Sequence, residues 1–448
     1  MRLLVTTFSL CPSQGSEPGV GWHTVEELAR EHEVHALVDA NWEPKVRAVF
    51  RAEDHSRIHL HFVRVPLLTT LVEGPLHNGL CWLIYYYLWQ IAAWITATRL
   101  HDQHAFDACQ HVTFVKYNTP SFLHLLGLPF IFGPVGGAER ALSVFYREFG
   151  LKTRLAEAAR VALQKLARLD PFLHLCCGRS TLALAVTHDT AAELRKLGAR
   201  RVEVLTAVAL SEDELSSIIG PLLKPGSVTP ERCASSSLSA LPQNSSPNTG
   251  ANPADPSGLT EASFNREPLT LLYVGRLIAW KGVHLALRAL AEGPANLRFR
   301  IIGNGPLRPY LEAEAQRLGI TDRVTFDGEL PRDQVLAAYR SAHGFLYPSL
   351  HDSGGNAVLE AMAAALPILC LRYGGPDFIV ADNCGWKVQA NTSEEAIAGL
   401  TTALTTFASD AAERRKRGAA ARARCLSDFT WQTRGAQLRE HLRTLAPD

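Results

Sequence analysis

Two runs of short apolar segments alternating with helical patterns constrain most strongly what this chain can fold into, and a stretch with no apolar period divides them. In the first run, Leu3–Phe8, Val34–Val38, a segment within Phe106–Phe114, Leu128–Phe132, Leu182–Thr187 and Arg201–Leu205 read as strands. Trp22–Arg30 and Thr190–Leu197 read as helices. In the second run, Leu269–Val274, Phe299–Ile302, Val324–Phe326, Gly344–Tyr347 and Ile368–Leu371 read as strands. Val283–Leu290, Arg308–Leu318, Asp333–Arg340, Ala357–Ala365, Ser393–Phe407 and Ala411–Leu426 read as helices, and Phe429-Thr-Trp431 introduces one more. Strand, helix, strand in this order predicts parallel sheets with helices on both faces. The expected fold class is α/β, as two facing Rossmann-like doubly wound domains with a cleft between them at the C-terminal ends of the strands.

The dividing stretch includes SSSLSALPQNSSPNTGANPADPSG, rich in Ser, Pro, Asn and Gly. Such a segment buries too little apolar surface to offset its ordering entropy. The expected organisation is an N-terminal domain over 1–210, a disordered linker or insertion over 211–267, a C-terminal domain over 268–425, and a helical tail over 426–448 that packs back on the N-terminal domain. A chain of 448 residues is too long for one ordinary core, which agrees with two domains.

Composition excludes several classes. Hydrophobic residues make 47% of the chain and charged residues 20%, which is globular, and the formal net charge of +1 argues against a nucleic-acid binder. The nine cysteines are scattered, with no Cys-x-x-Cys pair and no zinc-type Cys/His spacing, as for free thiols in a reducing compartment. The N-terminus, MRLLVTTF, reads as a first strand rather than a signal peptide. Leu80–Leu100 is long enough to span a bilayer, but Gln90 interrupts it. A buried helix, or one lying on a membrane surface through Trp82, Tyr85, Tyr86, Tyr87, Trp89 and Trp94, fits it better.

The motifs cluster where strands end. Gly275-Arg276-Leu-Ile-Ala-Trp-Lys281-Gly282 follows the strand LTLLYV, so two cations leave the sheet edge together, as a diphosphate requires. A solvated basic loop explains that segment alone equally well. In Asp352-Ser353-Gly354-Gly355-Asn356 through Glu360, a strand enters a two-glycine loop and a helix leaves it. The glycines allow close backbone approach, and the helix start offers free N–H groups to an anion. Asn356 and Glu360, four apart, share a helix face, where a carboxylate can accept both ribose hydroxyls.

These segments, with Gly303-Asn304-Gly305-Pro306, resemble the family-4 retaining glycosyltransferases, most clearly over residues 269–390. The resemblance implies the B-type glycosyltransferase fold and a nucleotide-sugar donor. Arg276 and Lys281, with Gly275, would then hold the diphosphate, and Glu360 the ribose. Asp352 would face the donor sugar, and Ser353, Gly354, Gly355 and Asn356 would meet sugar and phosphate. The family usually has Glu where this chain has Asp352, one methylene shorter, which moves the carboxylate by about 1.5 Å. Gly15-Ser-Glu17-Pro-Gly19-Val-Gly21 resembles the family's N-terminal loop, with Gly19 toward the donor phosphate, and Glu17 equally able to be structural. His111, near a strand end, would meet the donor sugar; His188 is a weaker candidate, and Arg140 and Lys116 read as surface charges.

The resulting expectation is a retaining glycosyltransferase that uses a UDP- or GDP-sugar and a saccharide or lipid-linked acceptor in cell-envelope or exopolysaccharide synthesis. Its expected location is the cytoplasm, peripheral to the inner face of the membrane. No Asp-x-Asp constellation stands near the motifs, so no metal and no cofactor are expected in the transfer. A nucleotide-sugar epimerase on the same fold, and a non-catalytic assembly or membrane-docking relative, are the alternatives.

Overall fold

The computed structural model describes residues 1–12, 17–51, 53, 55–65, 79–113, 115–147, 149–220 and 268–445. Each run of alternating segments builds one parallel sheet. The first contains β1 (Arg2–Thr7), β2 (Glu33–Asp39), β3 (Ile58–Val63), β4 (Ala108–Thr113), β5 (Phe130–Val135), β6 (Leu182–Ala185) and β7 (Val202–Val204), in the order β3-β2-β1-β4-β5-β6-β7. The second contains β8 (Leu269–Val274), β9 (Leu297–Ile302), β10 (Val324–Gly328), β11 (Gly344–Tyr347), β12 (Ile368–Leu371) and β13 (Gly385–Val388), in the order β10-β9-β8-β11-β12-β13. Helices cover both faces, so central strands such as β4, β5 and β11 are buried at every residue, and they read as apolar runs rather than alternations. Strand order reverses between β1 and β4 and again between β8 and β11. At such switch points the following loops diverge and leave a crevice.

Several expectations need correction. β3, in RIHLHFV, escapes the apolar pattern because two of its six residues are histidine. The linker does not start at residue 211. Glu212–Ile219 is a helix, opened by a capping box in which Ser211 and Glu214 each serve the other's backbone, and anchored by buried Leu215 and Ile218. Residues 221–267, the rest of that segment, lie outside the described residues. Among the described residues, no helix is long and apolar enough to cross a membrane. The Leu80–Leu100 segment forms the helix Gly79–His104, and its aromatics mostly face inward. Tyr85, Tyr86 and Trp89 are buried around Phe8, Gln90 donates to the Tyr86 hydroxyl at 2.6 Å, and the exposed side is aliphatic: Ile84, Leu88, Ile91 and Ile95.

The chain crosses between the sheets twice. After the second sheet, the helix Trp431–Arg443 returns to the first and packs against the helix Glu17–Ala29. Leu210 and Phe429–Trp431 bond backbone to backbone, and Trp431 stacks on His23 at 5.0 Å. Arg439 donates to the Glu27 carbonyl at 2.6 Å and to its carboxylate at 3.1 Å, and both side chains are nearly buried. Burial raises the Glu27 pKa, and Arg439 and Arg30 work against that rise. Arg439→Ala leaves the carboxylate with Arg30 alone and is expected to cost about 2 kcal/mol of stability, less than a fully orphaned buried charge. Urea unfolding checks this, and an unchanged midpoint would show that the return helix does not depend on this pair.

Candidate functional site

The loops that leave the switch points face one another. After β8, Gly275 and Lys281 line a cavity of about 440 Å³ with Tyr347 and Asp352–Ala357 from the β11 loop; Glu17, Val20, Val115, Lys116 and Val208 form the opposite wall. That volume lies in the range of small-molecule sites. The two C-terminal loops are stitched together: Leu350 N–H donates to the Trp280 carbonyl at 2.8 Å, and Trp280 stacks on His351. The N-terminal domain closes on them. Phe145 packs on Tyr373, Phe149 on His284, and His188 on Phe378.

Charge at the centre of the cavity is balanced by geometry. The Lys281 ammonium bonds to the Asp352 carboxylate and donates to the Tyr347 hydroxyl at 2.5 Å, and Tyr347 donates to the same carboxylate oxygen at 2.6 Å. An ammonium has three N–H groups, so two are committed here and the third is left for a ligand. Tyr347 is buried, which pushes its hydroxyl well above the usual range; Asp352 adds to the shift, so the phenol stays a proton donor. Beside this triad begins the helix Asn356–Ala363. Among the described residues no side chain caps it, and its first residues Asn356 and Ala357 line the cavity, so first-turn N–H groups are open to an incoming anion. The Asn356 Oδ1 is buried without a hydrogen-bond partner among the described residues.

The other expected site residues divide between this cavity and its surroundings. Ser353, Gly354 and Gly355 are on the wall. Arg276 is exposed and is not among the lining residues. Glu360 lies one turn beyond Asn356, 8% exposed, and its Oε1 accepts from Arg332 at 2.7 Å; burial raises its pKa, and Arg332 opposes the rise. Gly19 is not in a loop: the helix begins at Glu17, and Gly19 borders a neighbouring pocket with Glu26 and Glu27. Residues 13–16 of that expected loop lie outside the described residues. Glu17 accepts from the Val115 N–H at 2.8 Å, which ties the helix start to the β4 loop, and its burial raises its pKa.

His111 is not on the wall. It is completely buried, with Nδ1 3.0 Å from the Thr6 hydroxyl and Nε2 3.4 Å from the Tyr86 hydroxyl. Strand alternation explains this: at its position in β4, the side chain points to the face covered by Gly79–His104. Lys116, read from sequence as a surface charge, lines the cavity instead, while Arg140 donates to Gln164 at 3.0 Å.

Tyr347, Arg332 and Gly374-Gly375 were missed. Tyr347 looked like a strand residue, and Arg332 is remote in sequence from Glu360. The glycine pair had a visible signal, a Gly-Gly two residues beyond the end of a strand. Gly374 has φ +59°, and a Cβ there would stand 2.5 Å from the Asp352 carbonyl oxygen, which accepts from the Gly375 N–H at 2.5 Å. The pair thus pins the Asp352 loop. Gly374→Ala combines a left-handed strain with an overlap and is expected to cost about 2–4 kcal/mol. Chemical denaturation measures it, and a wild-type midpoint would remove the pinning role.

Comparison with known proteins fits this geometry. Residues 260–424 match the family model "Glycosyl transferases group 1". Glycogen synthase of Mycobacterium tuberculosis is 32% identical over 169 residues, 37% of this chain and 40% of that protein. A GDP-mannose-dependent alpha-(1-6)-phosphatidylinositol monomannoside mannosyltransferase of Mycolicibacterium smegmatis is 31% identical over 179 residues, 38% of this chain and 46% of that protein. The chain thus matches less than half the length of these curated relatives. The crystal structure of Anabaena HepE in complex with UDP and glucose superposes with a TM-score of 0.53 at 16% identity, covering 99% of this chain and 100% of that one. The fold is the two-domain B-type glycosyltransferase architecture.

Proposed function

We propose that the protein is a retaining glycosyltransferase of the family-4 type, moving a sugar from a UDP- or GDP-sugar to a saccharide or lipid-linked acceptor. The observation that carries this reading is the Lys281–Tyr347–Asp352 triad beside an uncapped helix start, at the switch point of the matched domain. In this reading the donor diphosphate takes the third N–H of Lys281 and the N–H groups at Gly355–Ala357, with Arg276 closing from the rim. Those donors stabilise the charge that develops as the sugar–phosphate bond breaks. The leaving phosphate assists deprotonation of the acceptor, and the transfer needs no metal. Glu360 holds the ribose after Arg332 yields, and Asp352 meets the sugar. His111 acts behind the wall by holding β1 to β4, and Lys116 and Glu17 face the donor from the N-terminal side. Names of relatives support both nucleotides: one is GDP-mannose-dependent, and a structural neighbour is complexed with UDP.

A lipid-linked acceptor, used at the inner face of the membrane for envelope or exopolysaccharide synthesis, is supported by an exposed surface. Leu151, Leu155, Leu163, Leu166, Leu169 and Phe172 are all more than half exposed along the helices Leu151–Ala167 and Pro171–Arg179 and the turn between them. Exposed Arg154, Lys165 and Arg179 lie among them. An apolar stripe edged by cations suits an anionic bilayer surface. The opposite side of the same helices reaches the cleft: Gln164 donates to the Gly137 carbonyl at 2.6 Å, and Glu157 lies 3.9 Å from His351.

Two measurements test the proposal. Thermal shift against a panel of UDP- and GDP-sugars identifies the donor. Lys281→Ala is then expected to cut turnover of that donor at least about 100-fold, as when one electrostatic donor is removed from a developing charge. Wild-type turnover in the folded variant would sink the assignment. Separately, the protein is expected to sediment with anionic vesicles, and a Leu155→Glu/Leu166→Glu/Leu169→Glu variant to remain in the supernatant. Equal sedimentation of both would place the membrane surface elsewhere.

A further inference from the structure

At the opposite edge of the first sheet from the cleft, Glu33, His35 and His59 converge. Glu33 and His35 are two apart near the start of β2, so they share a face. The register of β2 with β3 sets His59 directly beside His35. Glu33 Oε1 lies 3.2 Å from His59 Nε2 and 3.6 Å from His35 Nε2, and one ligand atom from each residue falls within 4.8 Å of the others. Zinc binds imidazole nitrogen and carboxylate oxygen at about 2.0–2.2 Å, so two tetrahedral ligands stand about 3.3–3.6 Å apart. The 3.6 Å separation lies at the end of that range, and the 3.2 Å separation is about 0.1 Å short of it.

A second observation points into the same spot. His35 is 2% exposed, and among the described residues its buried Nε2 has no hydrogen-bond partner. Its Nδ1 lies 3.1 Å from His61 Nε2, and both nitrogens belong to one hydrogen bond. If His35 Nδ1 carries the proton and donates it to His61, the His35 Nε2 lone pair is left aimed at Glu33 and His59. That is the arrangement of a metal-bound histidine whose second nitrogen is held by an outer partner. Arg2 occupies the other Glu33 oxygen at 3.2 Å and leaves Oε1 to the histidines. The Glu33 and His59 side chains are 40% and 41% exposed, which gives an ion a route in and room for a water as a further ligand.

We propose that Glu33, His35 and His59 bind one divalent transition-metal ion, of which Zn²⁺ best suits two imidazoles and one carboxylate. The ion clips the edge strand β3 to β2. It plays no part in transfer, because the C-terminal ends of these strands, not their starts, face the cleft. This inference is independent of the proposed activity.

The test uses full-length, tag-free protein stripped with EDTA and titrated with ZnCl₂ by calorimetry. One saturating equivalent is expected, with affinity reduced at least about 10–100-fold in His59→Gln and in Glu33→Gln, the loss seen when even outer-shell partners of a metal are changed. Both substitutions are at partly exposed side chains, so both variants should fold. His61→Phe, which removes the outer partner, is expected to weaken binding about tenfold. Absence of a saturable equivalent overturns the site, as does undiminished Zn²⁺ affinity in His59→Gln and Glu33→Gln.

Discussion

The whole molecule depends on the reversal of strand order between β8 and β11 and its counterpart between β1 and β4. A parallel sheet has all its strands ending on one edge, and neighbouring connections ordinarily pack together above it. Where the order reverses, the loops run to opposite faces and the edge stays open. Each sheet has one such opening, and the chain places them face to face. The charged residues that line the cavity each leave one of those four strands: Glu17 follows β1, Lys116 follows β4, Lys281 follows β8 and Asp352 follows β11.

Holding the openings together is the work of parts that do no chemistry themselves. The Phe145 segment of the N-terminal domain inserts into the second domain's core, and the helix Trp431–Arg443 returns the chain to the first domain. Gly136 in the first domain passes so close to Ser353 in the second that a Cβ on it would stand 3.0 Å from the serine Cβ. The walls are therefore set against each other by small residues at the contact. A larger residue at 136 would separate them before it touched any ligand.

How much of this was legible in sequence follows from what kind of information each part needs. Local signals were enough for the alternation, for the β8 and β11 loops, and for the uncapped helix at Asn356. The capping box at Ser211–Glu214 was also a local signal, but it was absorbed into the segment that runs on to the low-complexity stretch starting at Ser235. His111 required knowing which face of β4 the helix Gly79–His104 covers. The aromatics of that helix needed the same knowledge, since Tyr85, Tyr86 and Trp89 suit an interface and a core equally by composition. The Glu33–His35–His59 cluster needed strand register: no spacing rule joins residues that are 24 apart until β2 and β3 pair.

Asp352 shows how structure turns an apparent deficit into a defined arrangement. Its side chain is short for the family resemblance, yet its carboxylate is not adrift. Tyr347 at the end of β11 and Lys281 from the β8 loop both reach it, and Gly374-Gly375 hold its backbone from behind. A glutamate at the same backbone position would carry its carboxylate about 1.5 Å farther from the main chain and could not keep both contacts without moving the loop. The aspartate, the strand-end tyrosine and the glycine pair therefore form one unit. The position of the negative charge in this cleft is set by all of them, rather than by the length of one side chain.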